Sequence, residues 1–131
     1  MTLNEYQERA MATCMATCSN FSYMALNLVG EVGEFASKVA KAIRKGVRII
    51  DGGHINKVLR GADSAEEAIE LHSFDRNLDE ELRKEAGDIL WQLSGLCKEM
   101  GWSLEDVAQE NLNKLASRQA RGVIDGNGDN R

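Results

Sequence analysis

A chain of 131 residues, 43% hydrophobic and 28% charged, has material for one real core and a composition that argues against intrinsic disorder. Its net charge of -5 leaves no basic stripe to displace counterions, which disfavours a nucleic-acid binder, although an acidic chain can still take a polyphosphate through a divalent cation. No apolar run approaches the roughly eighteen residues that cross a bilayer, no secretory leader is visible, and three cysteines without a pairing pattern suit a reducing cytoplasm.

Proline is absent, so glycine supplies the punctuation. Residues 3–18 predict a short first helix, with Tyr6, Ala10, Cys14 and Cys18 recurring every four positions. Cys14 and Cys18 have no histidine near them, so packing explains them better than a zinc site. Ser19, Asn20 and Ser22 form a capping region, and a second helix is expected from Phe21 to Arg44, ending before Gly46. Gly30 and Gly33 inside it each cost about 1 kcal/mol against alanine, which suggests close packing there.

Residues 47–76 are the least readable part. VRII followed by DGGH predicts a short strand and turn, and Ser64 with Glu67 a short helix ending near Leu71. A third long helix is expected after Asn77, with Asn77 and Glu80 forming a capping box and Leu82, Ala86, Ile89, Leu93, Leu96 and Met100 on one face until Gly101. Ser103 with Asp106 repeats the signature and opens a fourth helix over about 104–119, striped by Leu104, Val107, Ala108, Leu112 and Leu115. The glycine-rich stretch 119–131 reads as an irregular arm. Together these elements predict an all-α fold, a compact bundle of about four helices in one domain spanning 1–131, with 47–76 as an insertion or widened loop.

Two acidic pairs carry the chemistry. Glu31 and Glu34 stand three apart at the edge of the stripe Leu28, Val32, Phe35, Ala36, Val39 and Ile43. Glu85 and Asp88 repeat the spacing beside Leu82, Ile89 and Leu93. If the stripes pack together, four carboxylates converge, and such a cluster needs a hard cation such as Mg²⁺ or Mn²⁺ to relieve its repulsion. Either pair alone is better explained as a solvated helix face; two matched pairs, each flanked by glycine, reverse that judgement. The acidic groups Glu66, Glu67, Glu70 and Asp79, Glu80, Glu81 lack this context and fit helix starts or solvated faces.

Cations that reach phosphate oxygens usually accompany such a centre. Lys38 lies one turn beyond Glu34, and Asn111, Lys114 and Arg118 form a polar face on the fourth helix. Each lysine alone reads as a solubilising charge; as a group they fit a phosphate grip. Trp91 lies about 60° from Asp88 on the helical wheel and reads equally as an intersubunit contact or a wall of a base pocket. His54 and His72 have no convincing ligand spacing, and no nucleophile elbow, P-loop or dinucleotide fingerprint is present.

The segments LVGEVGEFASKVAK, DEELRKEAGDILWQLSGLCKEMGWSLEDVAQENLNKLASR and RGVIDGNGDNR, with the opening EYQERAM, resemble the MazG-like all-α nucleoside triphosphate pyrophosphohydrolases. The resemblance implies Mg²⁺-dependent hydrolysis between the α and β phosphates, releasing monophosphate and pyrophosphate, with Mn²⁺ as a substitute. It implies that Glu31, Glu34, Glu85 and Asp88 are the metal-binding and catalytic acids, and that Lys38, Asn111, Lys114 and Arg118 stand on the phosphate side. It also implies a homodimer or homotetramer. The run between Glu34 and Glu85 is longer than the family's motif, which bears on the substrate more than on the chemistry. The rival readings are a non-enzymatic helical oligomerisation or regulatory module, and a pyrophosphohydrolase of another metabolite such as a phosphoribosyl-ATP-like compound.

Overall fold

The computed structural model describes residues 1–45 and 65–125. Four helices and no strand occur among them: α1 (Leu3–Met11), α2 (Phe21–Arg44), α3 (Ala65–Glu99) and α4 (Leu104–Ala120). The fold is all-α, as expected. The predicted strand and turn at 47–54, the Ser64 cap and the arm beyond residue 125 lie outside the described residues.

α1 opens with a capping box in which Thr2 Oγ1 accepts from Glu5 N–H and Glu5 receives the Thr2 N–H. It stops at Met11, short of the expected Cys18. Beyond it the backbone closes i→i−3 turns, and the Thr13 hydroxyl donates to the Ala10 carbonyl at 2.7 Å, so a side chain competes for the ladder. α2 has the expected bounds, and Asn20 caps it by accepting from Tyr23 N–H at 2.9 Å.

α3 departs most from expectation, for it begins at Ala65 and runs through Asn77 without a break. Residues 65–86 contain neither proline nor glycine, so nothing local ends a helix there, and Asn77 with Glu80 merely imitates a cap within it. α3 ends in a Schellman motif: Gly101 has φ of 72°, Trp102 N–H reaches the Cys97 carbonyl at 2.8 Å, and Gly101 N–H reaches Lys98 at 3.0 Å. Ser103 then caps α4, accepting from Asp106 N–H at 3.1 Å. Among the described residues no helix is long and apolar enough to cross a membrane.

The chain forms two compact units. In the unit made of residues 1–24 and 93–131, Met11, Met24, Cys97 and Leu104 are buried. Gln7 ties α1 to the turn after α3: its Nε2 donates to the Ser94 and Trp102 carbonyls, both at 3.1 Å, and its Oε1 accepts from Leu104 N–H at 3.0 Å. Asn4 Oδ1 accepts from the Ser103 hydroxyl at 2.8 Å, and Ser19 donates to Glu99 at 2.8 Å. Gly95 makes the close approach that Gly30 and Gly33 were expected to make. A Cβ there would run into the thioether of the fully buried Met24, whereas one at Gly33 would meet nothing within 4 Å. Cys14, Cys18 and Cys97 are free thiols, and burial pushes the Cys97 thiol up.

In the unit made of residues 25–92, α2 packs on α3 through Ala42, Leu78 and Leu82, with Phe35 and Val39 against them. Burying Leu78 and Leu82 contributes about 2 kcal/mol each on an area basis. The apolar seam of α2 is therefore narrower than its sequence stripe, since Val32 and Ile43 remain exposed.

Candidate functional site

The seam of the 25–92 unit holds acidic side chains as well as apolar ones. Glu85 follows Leu78 and Leu82 at helical spacing, so it belongs to the buried row of α3 and not to its edge; the residue is 8% exposed. Glu31 is half-buried on α2 and Glu34 exposed. One carboxylate oxygen from each of Glu31, Glu34 and Glu85 lies within 4.8 Å of the other two. Asp88, exposed on α3, stands outside this trio.

Burial pushes the Glu31 carboxyl above its usual range. Repulsion from Asp88, then Glu34, then Glu85 acts in the same direction. A hydrogen bond from Asn27 Nδ2 to Glu31 Oε1, at 3.0 Å, opposes them. Asp88 thus borders the cluster closely enough to be felt by Glu31.

The countercharge comes from Lys38. Its Nζ lies 3.2 Å from Glu85 Oε1 and 3.5 Å from Glu81 Oε2. The hydrogen bond to Glu85, against the opposing effect of burial, raises the Lys38 pKa above its usual value. Sequence reasoning assigned Glu81 to a solvated group with Asp79 and Glu80. Asp79 does pair locally, with Arg83 Nη2 at 3.0 Å, but Glu81 holds the lysine beside the cluster. Asn27 and Glu81 were both missed, although each stands four residues before a recognised acid, Glu31 and Glu85 respectively.

The structure brings together Glu31, Glu34, Glu85 and Lys38. Trp91 is half-buried on α3 in the same unit, while Asn111, Lys114 and Arg118 belong to α4 in the other unit, the first two exposed and Arg118 buried. An oxygen-only donor set suits a hard divalent cation. Three carboxylates drawn together from two helices, with an ammonium group on one of them, fit such an ion.

Comparison with known proteins agrees with this chemistry. A family profile described as the MazG nucleotide pyrophosphohydrolase domain matches residues 19–123. The "Gene 37 protein" of Mycobacterium phage L5 is 37% identical over 110 residues, covering 84% of this chain and 75% of that protein. No solved structure matches.

Proposed function

The chain belongs to the MazG nucleotide pyrophosphohydrolase family, and from that premise we propose that it hydrolyses ribo- or deoxynucleoside triphosphates between the α and β phosphates. The reading rests above all on the meeting of Glu31, Glu34 and Glu85 across the seam of α2 and α3. With Asp88 they would hold Mg²⁺, or Mn²⁺ in its place. The bound ion would supply Lewis-acid stabilisation of phosphoryl charge and a lowered pKa for coordinated water.

The chain's own groups do the remaining work. Glu34, exposed where Glu85 is buried, orients the attacking water and accepts its proton. The water oxygen bonds to the α-phosphorus as the bond to the α–β bridging oxygen breaks. That oxygen keeps the electron pair and leaves with pyrophosphate. Lys38, released from Glu85, faces the developing negative charge; Asn111, Lys114 and Arg118 serve as further phosphate contacts and Trp91 as a wall for the base. An assembly of copies, dimer or tetramer, suits the exposed Leu26, Val29 and Val32 on α2, which are 75%, 71% and 49% exposed in the single chain.

The test is a panel of ribo- and deoxynucleoside triphosphates with and without Mg²⁺, resolving monophosphate, diphosphate, pyrophosphate and phosphate. Monophosphate with pyrophosphate is expected, lost on chelation and in Glu85→Gln and Asp88→Asn, with helix content retained by circular dichroism. Diphosphate with phosphate would overturn the cleavage position. Near-wild-type turnover by both variants would refute the site.

A further inference from the structure

The buried row of α3 does not end with the acidic pair. Leu78, Leu82, Glu85 and Gln92 recur on it at helical spacing, and Gln92 is 3% exposed. Among the described residues its buried Oε1 accepts no hydrogen bond. A buried acceptor left in that state carries the full penalty of its desolvation. Methionine would fill nearly the same volume with no such acceptor to answer, so packing alone does not account for an amide here.

Gln92 stands one turn past Asp88, about 6 Å farther along the helix axis. Across the seam, Ala42 packs with Leu78 and Leu82, Lys38 pairs with Glu81, and Glu34 joins Glu85. α2 and α3 therefore run antiparallel, and continuing that register sets Asn27 level with Gln92. Asn27 gives its Nδ2 to Glu31 at 3.0 Å and leaves the Gln92 acceptor unanswered.

The seam thus has unlike groups on the two sides of the carboxylates. Lys38 supplies a cation on one side, and Gln92 a neutral acceptor on the other. An ionised phosphate offers oxygens that accept, so it does not answer Oε1. In a nucleotide the donors are the sugar hydroxyls and the N–H groups of the base. We propose that Gln92 is a specificity-determining residue: its Oε1 accepts a hydrogen bond from such a donor on the nucleoside part of the substrate. The same amide can donate through Nε2 to an acceptor beside that donor. The assignment deepens the nucleotide-hydrolysis reading and rests on it, but it is measured by binding, without cleavage.

The probes are ribonucleoside 5′-monophosphates with each common base, and their 2′-deoxy and 2′,3′-dideoxy counterparts. Their binding in Mg²⁺ is measured by titration calorimetry for the wild type, for Gln92→Met and, as a second apolar replacement, for Gln92→Leu. Without nucleotide the variants should be the more stable, with Tm higher by about 4 °C or more, because they bury no unanswered acceptor. Affinity for the preferred nucleotide should fall at least about tenfold in both variants. Removing the donor from the nucleotide should cost the wild type about as much and the variants nothing further. A sugar donor shows this at one of the two deoxygenation steps, whatever the base. A base donor makes the loss unequal among the bases and leaves the sugar steps alike in all the proteins. Mn²⁺ affinity, followed by electron paramagnetic resonance, should stay within about twofold, which separates contact with the nucleoside from contact with the ion.

Unchanged nucleotide affinity in the variants, or a loss equal for every base and every sugar, would overturn the assignment. So would a Tm lowered in both variants, or Mn²⁺ binding weakened about tenfold. Nucleotide binding that depends on Gln92 in a chain that cleaves no triphosphate would uphold the nucleoside contact and sink the hydrolysis reading. Cleavage with binding indifferent to Gln92 would do the reverse.

Discussion

Replacing Glu31 by glutamine should make the metal-free chain more stable and at the same time remove most of the stabilisation it gains from Mg²⁺. At the 4.8 Å separation that bounds the trio, two unit charges repel by about 1 kcal/mol in a water-like medium and by about 3.5 kcal/mol at an effective dielectric of 20. Glu34 is exposed and Lys38 screens Glu85, so the lower figure is the better guide. Two such pairs within the trio involve Glu31, and Asp88 repels it as well, giving at least about 1–2 kcal/mol released on neutralisation. Glutamine keeps the Oε1 that accepts from Asn27, so that hydrogen bond survives. With an unfolding entropy of about 2.1 cal/mol/K per residue, 1 kcal/mol corresponds to about 4 °C in a chain of this length, and the metal-free Tm should rise by at least about 4–7 °C. An ion at a hundred times its Kd adds about 2.7 kcal/mol to the wild type, about 10 °C, and much less to the variant. Thermal unfolding in chelator and in Mg²⁺ should therefore show the two proteins exchanging order. A wild-type Tm indifferent to divalent ions, with a variant no more stable than the wild type in chelator, would refute the reasoning.

The raised Glu31 pKa sets the sign of a pH effect. Between the ordinary value of 4.5 and the raised one, the folded chain holds more protons than the unfolded chain, so this group's contribution is complete below 4.5 and is lost as pH rises through the folded pKa. Urea midpoints in chelator should accordingly fall with pH above 4.5, and less so in Glu31→Gln. Gly95→Ala gains about 1 kcal/mol of helix propensity but drives its methyl into buried Met24, where overpacking costs about 1–3 kcal/mol. Chemical denaturation should show net destabilisation, and the same substitution made in a Met24→Ala background should be stabilising.

Where local chemistry decides an element, the sequence was legible. Asn20 and Ser103 do cap α2 and α4, and the acidic pairs do bring Glu31, Glu34 and Glu85 together, although Asp88, expected as the fourth carboxylate, stands outside that trio. The start of α3 was misread because a cap signature carries no information about the turn before it, and an uninterrupted run of helix-compatible residues overrode Asn77. The glycines were misread for a related reason. A glycine inside a helix signals either a close neighbour or none, and only packing tells Gly95 from Gly33. The Lys38 pairing with Glu81 and Glu85 was equally hidden, because it joins two helices whose register no local pattern fixes. The glutamine that closes the α3–α4 turn carries no motif at all.

That glutamine has a consequence for where the molecule can be cut. The family match begins at residue 19, yet one amide side chain twelve residues earlier answers two carbonyls and the first amide of α4. A fragment trimmed to the matched segment would keep Glu31, Glu34, Glu85 and Asp88 and lose the clasp on the α3–α4 turn. The boundary drawn by similarity and the boundary drawn by hydrogen bonding are different boundaries, and a truncation should respect the second.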